Sequence, residues 1–275
     1  MLVCVQFSNR KEALIFYQYL FDNCSNSRIE LNGEIKDKGN KWSVTITEDY
    51  SFPDISQAVY TIIRQRKLQA WMEGVLRHRF YYGDPREIEQ VIKLSSKLME
   101  EPPDGVSLPR VDLKAELFVK RKVMDFEFND FDDLSASCLE YVYQDLLEFT
   151  GKLLDEYKLE EAHQMMVDSW RRQVKNKRSA VTLLHVTCEG QLEYYFPEGN
   201  KVGRAELLSF LQSNPDPMIQ TLPSELGILP ALIYSPDELM IYSNKQGEAK
   251  LELLMNIFEE KAVWKPLSFF PFHKA

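Results

Sequence analysis

Between Asp133 and Arg178 the chain repeats apolar residues at helical spacing, and this stretch restricts the fold more than any other. Leu139, Val142, Leu146, Phe149 and Leu153 recur three and four apart, which places them on one helical face wide enough to be buried. Asp133 stands where an N-cap belongs, Gly151 weakens the middle, and basic residues close the run. The pattern predicts a helical hairpin or one long bent helix. It contains no catalytic signature.

Around this stretch the chain changes period twice. Leu2 to Phe7 reads as a strand, and Ser8 or Asn9 caps a helix to about Phe21 with Ala13, Leu14, Tyr17 and Leu20 on one face. Arg28 to Asn32 and Trp42 to Thr47 alternate as strands. The intervening NGEIKDKGNK has Gly33, Gly39 and Lys41, but not the G-x-x-x-x-G-K-[ST] spacing of a phosphate loop, and is a hairpin connection. Asp54, with Gln57 three residues on, predicts a capped helix to about Phe80. Gly83 then ends one helix, Asp84 caps the next, Pro85 takes its first position and Glu87 completes a capping box. Ile88, Val91, Ile92, Ser95, Leu98 and Met99 form its buried face. Residues 111–131 fit both periods: Leu113 and Leu117 suit a helix, Phe126 and Phe128 a strand.

After residue 180 strand signals return. LLHVTC-EG-QLEYYF predicts a β-hairpin, and ALIYS-PDE-LMIYS a second one over 231–243. Short helices are expected over 203–212 and 248–259, and the aromatic WKPLSFFPFHKA as an extended strap. The fold class is therefore α+β: a central helical section flanked by an N-terminal βαββ unit and a C-terminal part with two β-hairpins and helices. Its divisions are expected at residues 1–50, 54–178 and 181–275. The reading leaves open whether the first and last strands join one sheet.

Composition excludes several classes. With 11 Gly and 13 Pro in 275 residues, fibrous and disordered chains are ruled out. The longest apolar run, residues 13–21, is too short to span a bilayer and contains Gln18, and no secretory signal is expected. Cys4, Cys24, Cys138 and Cys188 form no C-x-x-C pair and fit reduced thiols of a cytoplasmic protein. The net charge of −9 is uneven: residues 125–161 hold twelve acids against Lys152 and Lys158. Basic runs flank them, Lys120 to Lys122 before and Arg171, Arg172, Lys175, Lys177 and Arg178 after. Packed helix faces of opposite sign explain this as well as an acidic surface for a basic partner.

Candidate chemistry is sparse. Glu160 and His163 have the E-x-x-H spacing of di-iron bundles, but His78, His185 and His273 lack a Glu three residues earlier, so the second copy is missing. No metal and no cofactor is expected. His185 lies in a strand and suits a partly buried polar pair better than a catalytic base. Trp170, Arg171, Arg172 and Lys175 form the candidate partner-binding cluster, because Arg and aromatic side chains hold phosphate and stack on bases. The plain alternative is a helix C-terminus whose cations complement the dipole.

The order of elements, with KLEEAHQMMVDSWRRQV leading into SAVTLLHVTCEGQLEYYFPEGNKV and later LIYSPDELMIY, resembles the YtxC-like family of sporulation proteins from endospore-forming bacteria. The resemblance covers nearly the whole chain as a pattern of apolar and charged positions. The family's aromatic and basic stretch before the long helix keeps its aromatics here at Phe126, Phe128 and Phe131. Asp125, Glu127, Asp130 and Asp132 make it acidic. The family has no established activity, so the resemblance implies a cellular setting and transfers no catalytic residue. It leads to a sporulation-associated, non-catalytic protein that interacts with an unknown protein partner, without dedicated nucleic-acid binding. The competing readings are an enzyme or nucleotide-binding protein with an unrecognised site, and a DNA-associated factor using the 171–178 cluster.

Overall fold

A computed structural model of the chain describes residues 2–23, 28–36, 39–47, 52–102, 107–125, 129–213, 227–245 and 247–272. These fall into two compact units, Met1–Leu159 and Glu160–Ala275. Central helices with separate N-terminal and C-terminal sheets make the fold α+β.

In the first unit, β1 (Leu2–Phe7), β2 (Arg28–Lys36) and β3 (Gly39–Thr47) form an antiparallel sheet of order β1-β3-β2. Strand alternation sends Val5, Phe7, Val44 and Ile46 into the core. The β2–β3 hairpin draws most of the NGEIKDKGNK segment into its strands. Gly33 pairs with Trp42, whose ring lies 2.5 Å from where a Cβ would be, so any side chain there would force the ring to move. Asn9 caps α1 (Arg10–Asn23), its Oδ1 accepting the Lys11 N–H at 2.9 Å. The buried face of α1 is Glu12, Ala13, Phe16 and Leu20, one position off the expected stripe, and Leu14 points outward. The reason is Phe16, whose ring packs on Phe7 at 5.3 Å.

One helical run follows, made of α2 (Phe52–Ile62), a π-helical turn (Ile63–Lys67) and α3 (Leu68–His78). It begins before Asp54, which lies in its first turn instead of capping it, with Pro53 ahead. The run stops at His78, earlier than expected, and Tyr81 at φ 58° rather than Gly83 takes the left-handed conformation. Asp84 caps α4 (Pro85–Glu100), accepting from Arg86 N–H at 2.8 Å, with Pro85 in its first turn. Ile88, Val91, Ser95 and Leu98 are its buried residues. Residues 111–124 are helical (α5, Val111–Met124), burying Val111, Ala115, Val119 and Val123. Phe126 and Phe128 lie outside the described residues.

The 133–178 pattern forms one helix, α6 (Phe131–Asn176). It starts before Asp133: Asp130 Oδ1 accepts the Asp132 N–H at 2.9 Å, because Phe131 is fully buried and belongs to the helix. Phe131, Leu134, Cys138, Val142, Leu146, Phe149 and Leu153 make a continuous buried stripe into the first unit's core. Gly151 does not break the helix. An added Cβ there would lie 3.4 Å from the Phe80 ring, so the small residue lets that ring approach.

Val167, Trp170 and Val174 of the same helix belong to the second unit's core. That unit holds a sheet of order β5-β4-β6-β7. β4 (Leu183–Cys188) and β5 (Leu192–Tyr195) form the expected antiparallel hairpin. α7 (Arg204–Ser213) follows. The expected second hairpin does not form. Its first arm is α8 (Leu229–Tyr234), where Pro230 sits in the first turn and every residue from Pro230 to Tyr234 is buried. A run without alternation favours neither period, and proline at a helix start favours the helix. Its second arm is β6 (Glu238–Tyr242), which pairs in parallel with β4. α9 (Ala249–Phe258) leads to β7 (Ala262–Lys265), parallel to β6 and taken from what reads as strap.

Asp84→Ala removes the acceptor for an orphan N–H of α4 while leaving an exposed position. It is expected to lower stability by about 1 kcal/mol in chemical denaturation. An unchanged midpoint would contradict the cap's contribution.

Candidate functional site

Polar groups concentrate first where the π turn faces α1. Glu12 is 3% exposed, yet it is a carboxylate on a stripe with Phe16 and Leu20. Lys67 Nζ lies 3.1 Å and Arg66 Nε 3.5 Å from its Oε1. Lys67 also reaches Asp132 at 3.7 Å and sits 5.3 Å over the Phe131 ring. Asp132 accepts the Ser8 N–H at 2.9 Å. A π turn admits one extra residue, so consecutive Arg66 and Lys67 can both address one buried carboxylate. The network ties β1, α1, the π turn and α6 together. The sequence signal for Glu12 is a charge spaced four and eight residues before Phe16 and Leu20.

Beside the π turn, a groove of about 690 Å³ runs between α3 and α4, with Gln65, Gln69, Ile88 and Ile92 in its lining. Its Glu73–Arg77 and Glu89–Lys93 pairs are each formed along one helix, at 2.9 and 2.7 Å. In each pair the two charges satisfy one another.

The Trp170 cluster lies where α6 ends. Trp170 is 3% exposed and is a core residue, so its indole faces protein rather than a base. Arg171 binds Asp168 at 2.6 Å, Glu259 at 2.7 Å and the Asn256 carbonyl at 2.9 Å. Lys175 binds the other Glu259 oxygen at 2.7 Å. These cations hold the Glu259 carboxyl below its usual range, Lys175 most strongly through a hydrogen bond. Arg172 is exposed and donates to the Asp168 carbonyl at 3.3 Å. Lys261 donates to the Val174 carbonyl at 3.4 Å, a cation at a helix C-terminus.

Glu160 and His163 are exposed, and Glu160 accepts from Gln164 at 2.8 Å. Among the described residues no group of three or more His, Cys, Asp or Glu side chains is placed to hold a metal. His78 is exposed, and His273 lies outside the described residues. His185 is buried, its Nδ1 2.9 Å from the Tyr242 hydroxyl. Cys138 and Cys188 are free and buried, and Cys4 is free and half-buried. Burial pushes the Cys138 thiol up to about 12, and burial with a hydrogen bond to Glu248 pushes Cys188 up to about 11, so both stay protonated near neutrality.

An exposed apolar stripe lies on α5. Its buried face carries Val111, Ala115, Val119 and Val123, while the larger Leu113, Leu117 and Met124 lie along the opposite side. Leu117 is 65% and Met124 66% exposed. Tyr141 of α6, 59% exposed, is in ring contact with Phe118 at 5.1 Å. Arg121 stands beside this stripe, its side chain 85% exposed. No helix among the described residues is long and apolar enough to cross a membrane.

A sequence profile of the YtxC-like family matches residues 53–263, more than half of the chain. The uncharacterized protein YtxC of Bacillus subtilis (strain 168) is 24% identical over 218 residues, covering 72% of each chain. No solved structure matches the chain.

Burial lowers the proton affinity of His185 below the usual 6.5, Glu238 partly offsets this, and Lys265 adds to it. The fold therefore holds the neutral ring. That stability is complete above about pH 6.5 and is lost as pH falls. Between pH 7.5 and 5.5 the wild type is expected to lose more stability than His185→Phe, compared by denaturation midpoints. Parallel losses would remove His185 from the account.

Proposed function

This chain belongs to the YtxC-like family, and we propose that it acts in the cytoplasm during spore formation as a non-catalytic protein-interaction factor. The cellular setting rests on the family resemblance of residues such as KLEEAHQMMVDSWRRQV. The observation that carries the interaction is the outward stripe of α5. A helix already buried on one face gains nothing inside its own unit from Leu113, Leu117 and Met124 on the other. Exposed apolar side chains arranged at helical spacing are what a partner helix buries. Arg121 beside them, highly exposed and only loosely paired with Asp125 at 3.9 Å, suits an acidic residue on that partner.

The DNA reading draws less support. Arg171 and Lys175 already share Glu259, and Arg171 also holds Asp168, so a phosphate would have to displace carboxylates. Within the Trp170 cluster, Arg172 remains the cation most open to a partner.

The test uses the full chain. Leu117→Asp with Met124→Asp changes exposed positions, so stability should shift by no more than about 0.5 kcal/mol per site. A protein captured by the wild type from sporulating cells, and shown to bind it when purified, should bind the double variant at least tenfold more weakly. Equal affinity for both would overturn the reading.

A further inference from the structure

The sheet of the second unit has one face packed in its core and another that presents rings. His185 on β4 pairs in register with Tyr195 on β5 and with Met240 on β6, and Tyr242 follows two residues after Met240. By strand alternation His185, Tyr195 and Tyr242 point to the same side, away from Leu184, Val186, Leu239 and Ile241. The His185–Tyr242 hydrogen bond fixes two of the three rings against each other.

Two side chains of the segment after β7 enter this triangle. Phe272 stands edge-on to His185, centroids 5.2 Å apart. Phe270 stands edge-on to Tyr195 at 5.1 Å and to Tyr242 at 5.3 Å. The two entering rings are perpendicular to each other at 5.4 Å. The backbone is shaped for them: Gly199, at φ 88°, lies where an added Cβ would come within 2.8 Å of the Phe272 ring. Upstream, the Leu267 N–H donates to Asn244 Oδ1 at 3.0 Å, while Phe269 points away and is exposed. Pro271 separates the two anchors and restricts the segment before it docks, which lowers the entropy lost on docking.

We propose that the His185–Tyr195–Tyr242 triangle is a peptide-recognition socket for an extended aromatic–proline–aromatic segment. In this account Phe270-Pro271-Phe272 occupies it in cis, and a partner chain carrying the same pattern displaces them. The socket fits such a peptide because edge-to-face ring pairs need two aromatic side chains two residues apart, and an extended segment places them on one side. The tethered occupant competes at an effective concentration in the millimolar range, so it screens out weak ligands. This inference does not depend on the α5 stripe.

The probe is a fluorescein-labelled peptide with the sequence of residues 266–272, PLSFFPF, amidated at its end and titrated with full-length chains. Phe270→Ala with Phe272→Ala empties the socket and is expected to bind the peptide at least tenfold more tightly than the wild type. Equal binding by wild type and emptied variant, or none by either, would overturn the proposal. A second measurement needs no truncation. Fluorophenylalanine at position 272 of the full chain gives a ¹⁹F resonance that should move toward its unfolded position as unlabelled peptide is added. A resonance unmoved at several millimolar peptide would also overturn it.

Discussion

The first unit depends on burying one face of α6. Seven side chains from Phe131 to Leu153 leave water together, and the β1–β3 sheet, α1, the α2–α3 run and α5 contribute to the same core. In a folded protein most of a helix's stability comes from packing such a stripe rather than from intrinsic propensity. Truncating a side chain as buried as Phe149 typically costs about 3–5 kcal/mol, a large share of what holds a domain together. Farther along the same helix Val167, Trp170 and Val174 serve the second unit's core in the same way. α6 therefore carries apolar side chains for two hydrophobic clusters.

That core also accepts a charge. Glu12 is buried inside it with Lys67 and Arg66 beside its carboxylate, and the π turn lets two adjacent residues reach it. Removing one cation would leave a buried carboxylate undercompensated, which is more damaging than removing the whole network. The arrangement explains an irregular turn inside a helix that the flanking sequence would otherwise continue. Its contacts hold β1, α1, the π turn and α6 to one another.

Much of this was legible in the sequence where one local signal decided the outcome. The Asp84-Pro85 boundary, the Leu139–Leu153 stripe and the β4–β5 hairpin each follow from residues close together in the chain. The structure departs from the sequence pattern where two signals compete. Residues 230–234 are buried all round, which removes the period that separates helix from strand. α1 is turned by one position because Phe16, rather than Leu14, meets Phe7. The residue that caps α6 is Asp130 rather than Asp133, because Phe131 is a core residue of the helix. For the candidate sites the missing knowledge was long-range. Nothing near Arg171 announces Glu259, and nothing near Phe272 announces His185 and Gly199. Leu113 and Leu117 suit a helix without showing its outer side, since only the packing of Val111, Ala115, Val119 and Val123 sets which face points out.

Native-state hydrogen exchange on the full chain tests the central dependence most directly. If the α6 stripe holds the first unit together, amides from Cys138 to Leu153 belong to the slowest class. Leu146→Ala should then accelerate exchange in α6, β1 and β3 by a similar factor, since all open with the same core. Fast exchange in α6 beside protected β1 and β3, or a loss confined to α6 in the variant, would contradict the account.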